Sequence, residues 1–312
     1  MPINKNALIR NRFHEFHFKK FYTAIQLFIS IAALFISIPI HCQTKRAFLV
    51  GISNYPQIGA DAWSIIHGAN DVNLLSPTLK KQGYTTKVLT NESATAKIIR
   101  KELNDLIASC KQGDIVYLHF SCHGQPVEDF DGDEEDGWDE SLIPYDAQKV
   151  YEVGKYEGEN HILDDELNGY LKSIRTQIGA KGFVYVVIDA CHAGSSYRHY
   201  EEEDSFIVRG TNSGFTPTGK EFAPKIDKHG RIKVEKSDSM ANICILEACR
   251  SYQVNTEIKE GGKYYGSMSF YINKVLQTTS LGFDKSWTDK VNRLMNLDVR
   301  LIKQNIVIET SL

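Results

Sequence analysis

Six consecutive apolar or aromatic residues, Phe183 to Ile188, run unbroken into Asp189, Ala190, Cys191 and His192 and close on Ala193 and Gly194. Such a run, bounded by Gly182 and Gly194, suits a strand covered on both faces rather than one with a wet side. The chain must therefore supply one layer above this strand and another below it. In open parallel sheets, reactive side chains collect at the carboxyl ends of strands, and the thiol delivered there is Cys191.

The rest of the chain keeps a rhythm that can provide those layers. Arg46 to Ile52, Tyr84 to Leu89, Asp114 to Ser121 and Asn242 to Ala248 read as further strands. Asp71 to Gln82 and Thr95 to Ser109 read as helices, the second amphipathic through Ile98, Ile99, Leu103, Leu106 and Ile107. Pro77 weakens the first helix, because it removes a hydrogen bond in mid-element. Strands separated by helices give an α/β fold on a mostly parallel sheet. With 312 residues, 42% of them apolar, there is material for one large domain or two small ones. A net charge of −3 offers no basic surface for nucleic acid. The six cysteines contain no CxxC pair, which points away from zinc and from a dense disulfide framework.

Residues 1–43 differ from all that follows. Lys5, Arg10, Arg12, Lys19 and Lys20 precede Phe21 to Ile40, a stretch of 20 residues without a charge. Two readings stay open: a signal peptide removed near Cys42, or an uncleaved anchor over residues 21–40 with its basic end in the cytoplasm. A lipoprotein reading of Cys42 is disfavoured by His41, where a small residue is expected. Either open reading exports residues 44–312, to the periplasm or beyond, and only the anchor brings a membrane contact.

Two insertions interrupt the rhythm, each just after a strand that ends in reactive groups. Glu128 to Asp146 holds ten carboxylates and no lysine or arginine, as a cation site or a solvated loop would. Glu201 to Asp238 is polar and aperiodic, as a flexible linker would be. The Asp114 to Ser121 strand leads into Cys122, His123 and Gly124, so His123 reaches the same sheet edge as Cys191 if the two strands are parallel neighbours. Thiol and imidazole together make a minimal acyl-transfer pair. The N–H of Gly124, left open beside the histidine, could join that of Cys191 in holding an oxyanion. Taken singly, each motif also fits a core cysteine or an ordinary loop histidine.

YLHFSCHG (117–124), DACHAG (189–194) and DGDEEDGWDESLIPYD (131–146) together resemble the caspase family of cysteine peptidases, in its metacaspase branch, over about Lys45 to Phe270. The resemblance implies a caspase-like three-layer α/β/α sandwich and a cysteine endopeptidase with His123 and Cys191 as its dyad. It implies cleavage after arginine or lysine, with Asp71, Ser121 and Asp189 lining an acidic pocket that pairs with the cationic side chain. Asp71 also suits a helix N-cap. No organic cofactor is implied. Calcium would be held through Asp139, Asp164 and Asp165, although Arg198 stands where the family usually has a further aspartate, and Asp164 or Asp165 could instead cap a helix. Residues 201–238 would join the larger and smaller halves of the domain. They offer Arg209, Lys220, Lys225, Lys228, Arg231, Lys233 and Lys236 to such a pocket, so self-cleavage is one expectation and an inert surface loop the other. Partners would be peptides or proteins bearing arginine or lysine, met by a monomer. Alternatives from the residues are a silent caspase-like scaffold, a clostripain-like or gingipain-like peptidase of the same clan, and a legumain-like asparagine cleaver.

Overall fold

A computed structural model describes residues 43–56, 61–132, 134, 136–191, 207–211, 213–223 and 234–312. Its centre is a six-stranded sheet in the order β11-β8-β7-β3-β1-β2. These are β1 (Lys45–Gly51), β2 (Tyr84–Thr90), β3 (Ile115–Ser121), β7 (Phe183–Asp189), β8 (Asn242–Glu247) and β11 (Val307–Thr310). All neighbours are parallel except β11, which returns antiparallel along β8. The mostly parallel α/β sheet expected from the sequence is present. All seven residues of β3 and all seven of β7 are buried, as strands covered on both faces must be.

The period-2 alternation of side chains divides the core into two layers. Val184, Val186 and Ile188 of β7 join a cluster with α2 (Ala96–Ser109) and α3 (Asp164–Ile178), through Ile99, Leu103, Leu167, Leu171 and Ile174. Phe183, Tyr185 and Val187 face the other way. They meet α1 (Gly68–Lys81), α4 (Ser267–Leu276) and α5 (Ser286–Leu297) through Val72, Leu75, Leu79, Met268, Ile272 and Trp287. Asp189 carries the odd parity of that second set, so its carboxylate is delivered to the α1/α4 side.

Two expectations need correction. The acidic insertion is not simply a loop: after β4 (His123–Glu128), residues Trp138–Ile143 form β5, paired antiparallel with β4 and continued by β6 (Ile162–Leu163). The helix expected over Asp71 to Gln82 is present as α1, with Pro77 inside it on the exposed face and Val72, Leu75 and Leu79 buried on the other. The described parts of 201–238 are not a free linker, since Arg209 and Phe215 are among the most deeply buried large side chains. A hairpin of β9 (Glu257–Glu260) and β10 (Lys263–Gly266) leads into α4. No helix among the described residues is long and apolar enough to cross a membrane, and residues 1–42, which carry the export reading, lie outside them.

Candidate active site

β3 and β7 are neighbours in register, with Ser121 opposite Asp189. His123 and Cys191 each follow that matched pair by two residues, so equal offsets from one rung of the ladder carry imidazole and thiol to the same sheet edge. Both residues are buried.

The imidazole is held from several sides. His123 Nε2 lies 2.9 Å from the carbonyl oxygen of Ser64; a carbonyl only accepts, so the hydrogen is on Nε2 and Nδ1 carries the lone pair. The ring stacks on Trp63 at 4.9 Å and sits 5.2 Å from Tyr55, whose hydroxyl accepts the His123 N–H at 3.0 Å. His123 Nδ1 is buried without a hydrogen-bond partner. Burial lowers the His123 pKa to about 4, against the smaller upward pull of the Ser64 carbonyl, so the ring is neutral at ordinary pH. Ser64 was not foreseen, because it acts through a backbone carbonyl that has no side-chain signature. Cys191 Sγ lies 3.3 Å from the carbonyl of Gln253 and 3.6 Å from Cys249 Sγ. Cys249, Cys244 and Cys122 are buried, and Cys249 also borders the thiol. Gly124 lies in β4, opposite Leu142 of β5. His192, next to the nucleophile in the chain, lies outside the described residues, as does Arg198.

Beside the dyad, Asp71, Ser121 and Asp189 come together, and the residue between them is Arg209. Its Nη1 lies 2.7 Å from Asp71 Oδ2 and 3.6 Å from Asp189 Oδ1, and also donates to Ser121 Oγ. Its Nε and Nη2 both donate to Glu257 Oε1, at 3.1 and 2.8 Å. Arginine and all three carboxylates are buried. Burial opposes the Arg209 charge, but the three carboxylates outweigh it and raise its pKa above the ordinary value. Three carboxylates around one guanidinium leave excess negative charge, and burial pushes Asp71 up to about 7 even against Arg209. Asp189 is also burdened by burial, yet Arg209, Ser269 and Asn255 hold its pKa below the usual range. Asp71 does not cap α1; it lies in the first turn, Ser121 Oγ donates to it at 2.6 Å, and it accepts the Gly266 N–H at 3.0 Å.

The backbone around Arg209 is arranged as firmly as its side chain. The Arg209 N–H donates to the Asn255 carbonyl at 3.1 Å and the Glu257 N–H to Ile207 at 2.9 Å, with Val208 bridged antiparallel to Thr256. The segment is thus laid along 255–257 as an added strand. The Cys191 N–H donates to the Arg209 carbonyl oxygen at 2.7 Å. Gly210 follows so closely over the cysteine that a Cβ on it would stand 1.9 Å from the Cys191 carbonyl oxygen. Of the other basic residues in the insertion, Lys220 bonds the Gly137 carbonyl over the Trp138 ring and Lys236 reaches the Leu312 carbonyl. Lys225, Lys228, Arg231 and Lys233 lie outside the described residues.

The acidic region places Asp139 on β5 against Asp164 at the start of α3. Burial and Asp164 push Asp139 up to about 7; burial, Glu140 and Asp165 push Asp164 up to about 8. Asp164 Oδ1 is buried with no hydrogen-bond partner, and the α3 N-cap is Leu163, so neither aspartate caps that helix with its side chain. Asp165 is exposed. A cation would satisfy the orphaned oxygen and the mutual repulsion. Among the described residues, however, no three acidic, histidine or cysteine side chains converge as a ligand set, so further oxygens would have to come from backbone or water.

Residues 44–307 match the caspase-domain family model. Metacaspase-1 of Eremothecium gossypii is 32% identical over 274 residues, covering 74% of this chain and 57% of its own length. Metacaspase-2 of Arabidopsis thaliana is 34% identical over 168 residues, 50% of this chain and 36% of its own. Metacaspase-1 of Mycosarcoma maydis is 25% identical over 267 residues, with 74% and 62% covered. The chain thus spans less than two thirds of the length of these curated relatives. A solved structure of a Geobacter sulfurreducens protein shares the fold, with a TM-score of 0.58 and 18% identity over 86% of this chain and 93% of that one.

Proposed function

This chain belongs to the caspase-domain family, and from that footing we propose that it is a cysteine endopeptidase that cuts after arginine or lysine. The observation that carries the reading is Arg209, with its guanidinium among Asp71, Ser121 and Asp189 and its carbonyl oxygen on the Cys191 N–H. A peptide bond to be cut must present its carbonyl to a fixed donor beside the nucleophile, and Arg209–Gly210 does so.

In the proposed reaction, Cys191 Sγ attacks the carbonyl carbon and His123 Nδ1 takes the thiol proton. The Ser64 carbonyl fixes the tautomer that leaves this nitrogen basic. The oxyanion rests on the N–H groups of Cys191 and Gly124. His123 then protonates the leaving amine, and the acyl-enzyme forms as the peptide bond breaks. Water enters, His123 removes its proton, and the thioester is hydrolysed to free carboxylate and thiol.

The first substrate on this reading is the chain itself, at Arg209–Gly210. The full chain incubated alone should yield a fragment beginning at Gly210, detected by mass spectrometry, while Cys191→Ala and Arg209→Ala stay whole. An intact wild-type chain that also leaves arginyl chloromethyl ketone unreacted at Cys191 would sink the reading. Cleavage of arginyl, lysyl, asparaginyl and aspartyl fluorogenic peptides, with and without calcium, tests its selectivity on outside substrates. Asp139 and Asp164 would hold calcium, which would neutralise their repulsion between β5 and α3 and so brace the β4 strand that carries His123. For residues 1–43 the reading remains export of a monomer, and fractionation, N-terminal sequencing and size-exclusion chromatography test it.

A further inference from the structure

We propose that Glu257 makes the pocket select arginine over lysine, an inference that rests on the arginine-or-lysine reading above. The three carboxylates do not meet the guanidinium equally. Asp71 and Ser121 take its Nη1 end. Asp189 lies 3.6 Å from that same nitrogen and already accepts the Ser269 N–H at 2.8 Å, the Ser269 hydroxyl at 2.6 Å and the Asn255 amide at 2.7 Å. Glu257 alone addresses the opposite edge, where Nε and Nη2 both point at its Oε1.

Lysine has no such edge. Its ammonium ends where arginine has Cζ, one bond short of Nη1, and it is a point charge rather than a fork. It can approach Asp71 or Glu257 but cannot satisfy both, and a buried carboxylate left without its partner is costly. Arginine bridges the pocket from wall to wall, and the wall that tells it from lysine is Glu257. The carboxylate is also fixed in advance, since Oε1 accepts the His67 N–H at 2.6 Å and Oε2 lies 2.6 Å from His67 Nδ1. That tether raises the competing explanation that Glu257 serves only as a strut for the start of α1.

The test uses the full chain carrying Arg209→Ala, so that the pocket is vacated, and peptidyl-arginine and peptidyl-lysine aminocoumarin substrates. This parent should show a kcat/KM for arginine at least 10-fold above that for lysine. Adding Glu257→Gln should lower the arginine value 10-fold or more and leave the lysine value within about 3-fold, with Cys191 alkylated by iodoacetamide at the parent rate. Adding His67→Ala instead, which removes the ring contact to Oε2 while the main-chain N–H stays on Oε1 and the arginine edge is spared, should preserve the ratio. An arginine-to-lysine ratio unmoved by Glu257→Gln, or collapsed equally by His67→Ala, overturns the proposal while leaving basic specificity standing. If the parent cleaves neither substrate although iodoacetamide still reaches Cys191, basic specificity itself fails and takes this inference with it.

Discussion

A Cβ on residue 266 would stand 2.4 Å from Asp189 Oδ2 and 2.5 Å from Arg209 Nη1. Gly266 is therefore the pocket's clearance, and the space it leaves is the space the guanidinium fills. In the chain whose pocket is emptied by Arg209→Ala, Gly266→Ala should lower kcat/KM for arginyl peptides by roughly 100-fold, the cost of a misplaced contact at a positioning site. Iodoacetamide should still alkylate Cys191 at that parent's rate; arginine turnover within a few-fold of the parent would place the specificity pocket elsewhere. At this scale the sequence was most legible in which side chains the fold brings together, His123 and Cys191 at one sheet edge and Asp71, Ser121 and Asp189 beside them. Glu257 gave no local signal, because its role depends on bringing the start of β9 across to α1. Arg209 was one of seven basic candidates in an aperiodic stretch, and nothing beside it in the chain marks it as buried.

At the scale of elements, composition misled where pairing decided. WDESLI looked like part of an acidic loop, yet its burial pattern is that of a strand packed on β4. The carboxylate count hid Trp138, Leu142 and Ile143, which hold it down. The helix expected over Asp71 to Gln82 forms despite Pro77, and α1 is anchored to α4 through Thr78, whose hydroxyl donates to Asn273 at 2.7 Å, and through Gln82, which donates to the Leu276 and Thr279 carbonyls. The seam between β5 and α3 carries the prediction for this scale. If Asp139 and Asp164 hold calcium, a free ion concentration 100 times Kd adds about 2.7 kcal/mol. Thermal melting should then shift upward by several degrees between chelator and millimolar calcium, and Asp164→Asn should erase the shift. A wild-type melting curve indifferent to calcium removes the ion from this seam.

Across the whole molecule, buried histidines tie stability to pH. His161 lies between the Tyr156 hydroxyl and Gln125 and 4.4 Å from the Phe215 ring, and burial lowers its pKa to about 3; His123 is lowered to about 4. The unfolded chain takes up a proton at each near pH 6.5, while the folded chain refuses it until far lower, so the share of stability these two histidines contribute is whole above 6.5 and drains away as pH falls toward 4. Each group contributes up to about 1.4 kcal/mol per pH unit in that window. In the same window the raised carboxyls of Asp71, Asp139 and Asp164 pull the other way, since the folded chain takes up their protons first, so the check is a difference: between pH 6.5 and 4.5, His161→Gln should lose less melting temperature, or gain more, than the wild type, and parallel curves would clear His161 of the effect. The resident arginine has a kinetic consequence for the intact chain. A tethered ligand acts at an effective concentration on the order of millimolar, so until the Arg209–Gly210 bond is cut a diffusing substrate must outcompete a rival held in the same chain. Intact protein should show a high apparent KM that falls without change in kcat once position 209 is emptied. The chain would then behave as a threshold device, quiet toward scarce substrates and responsive to abundant ones.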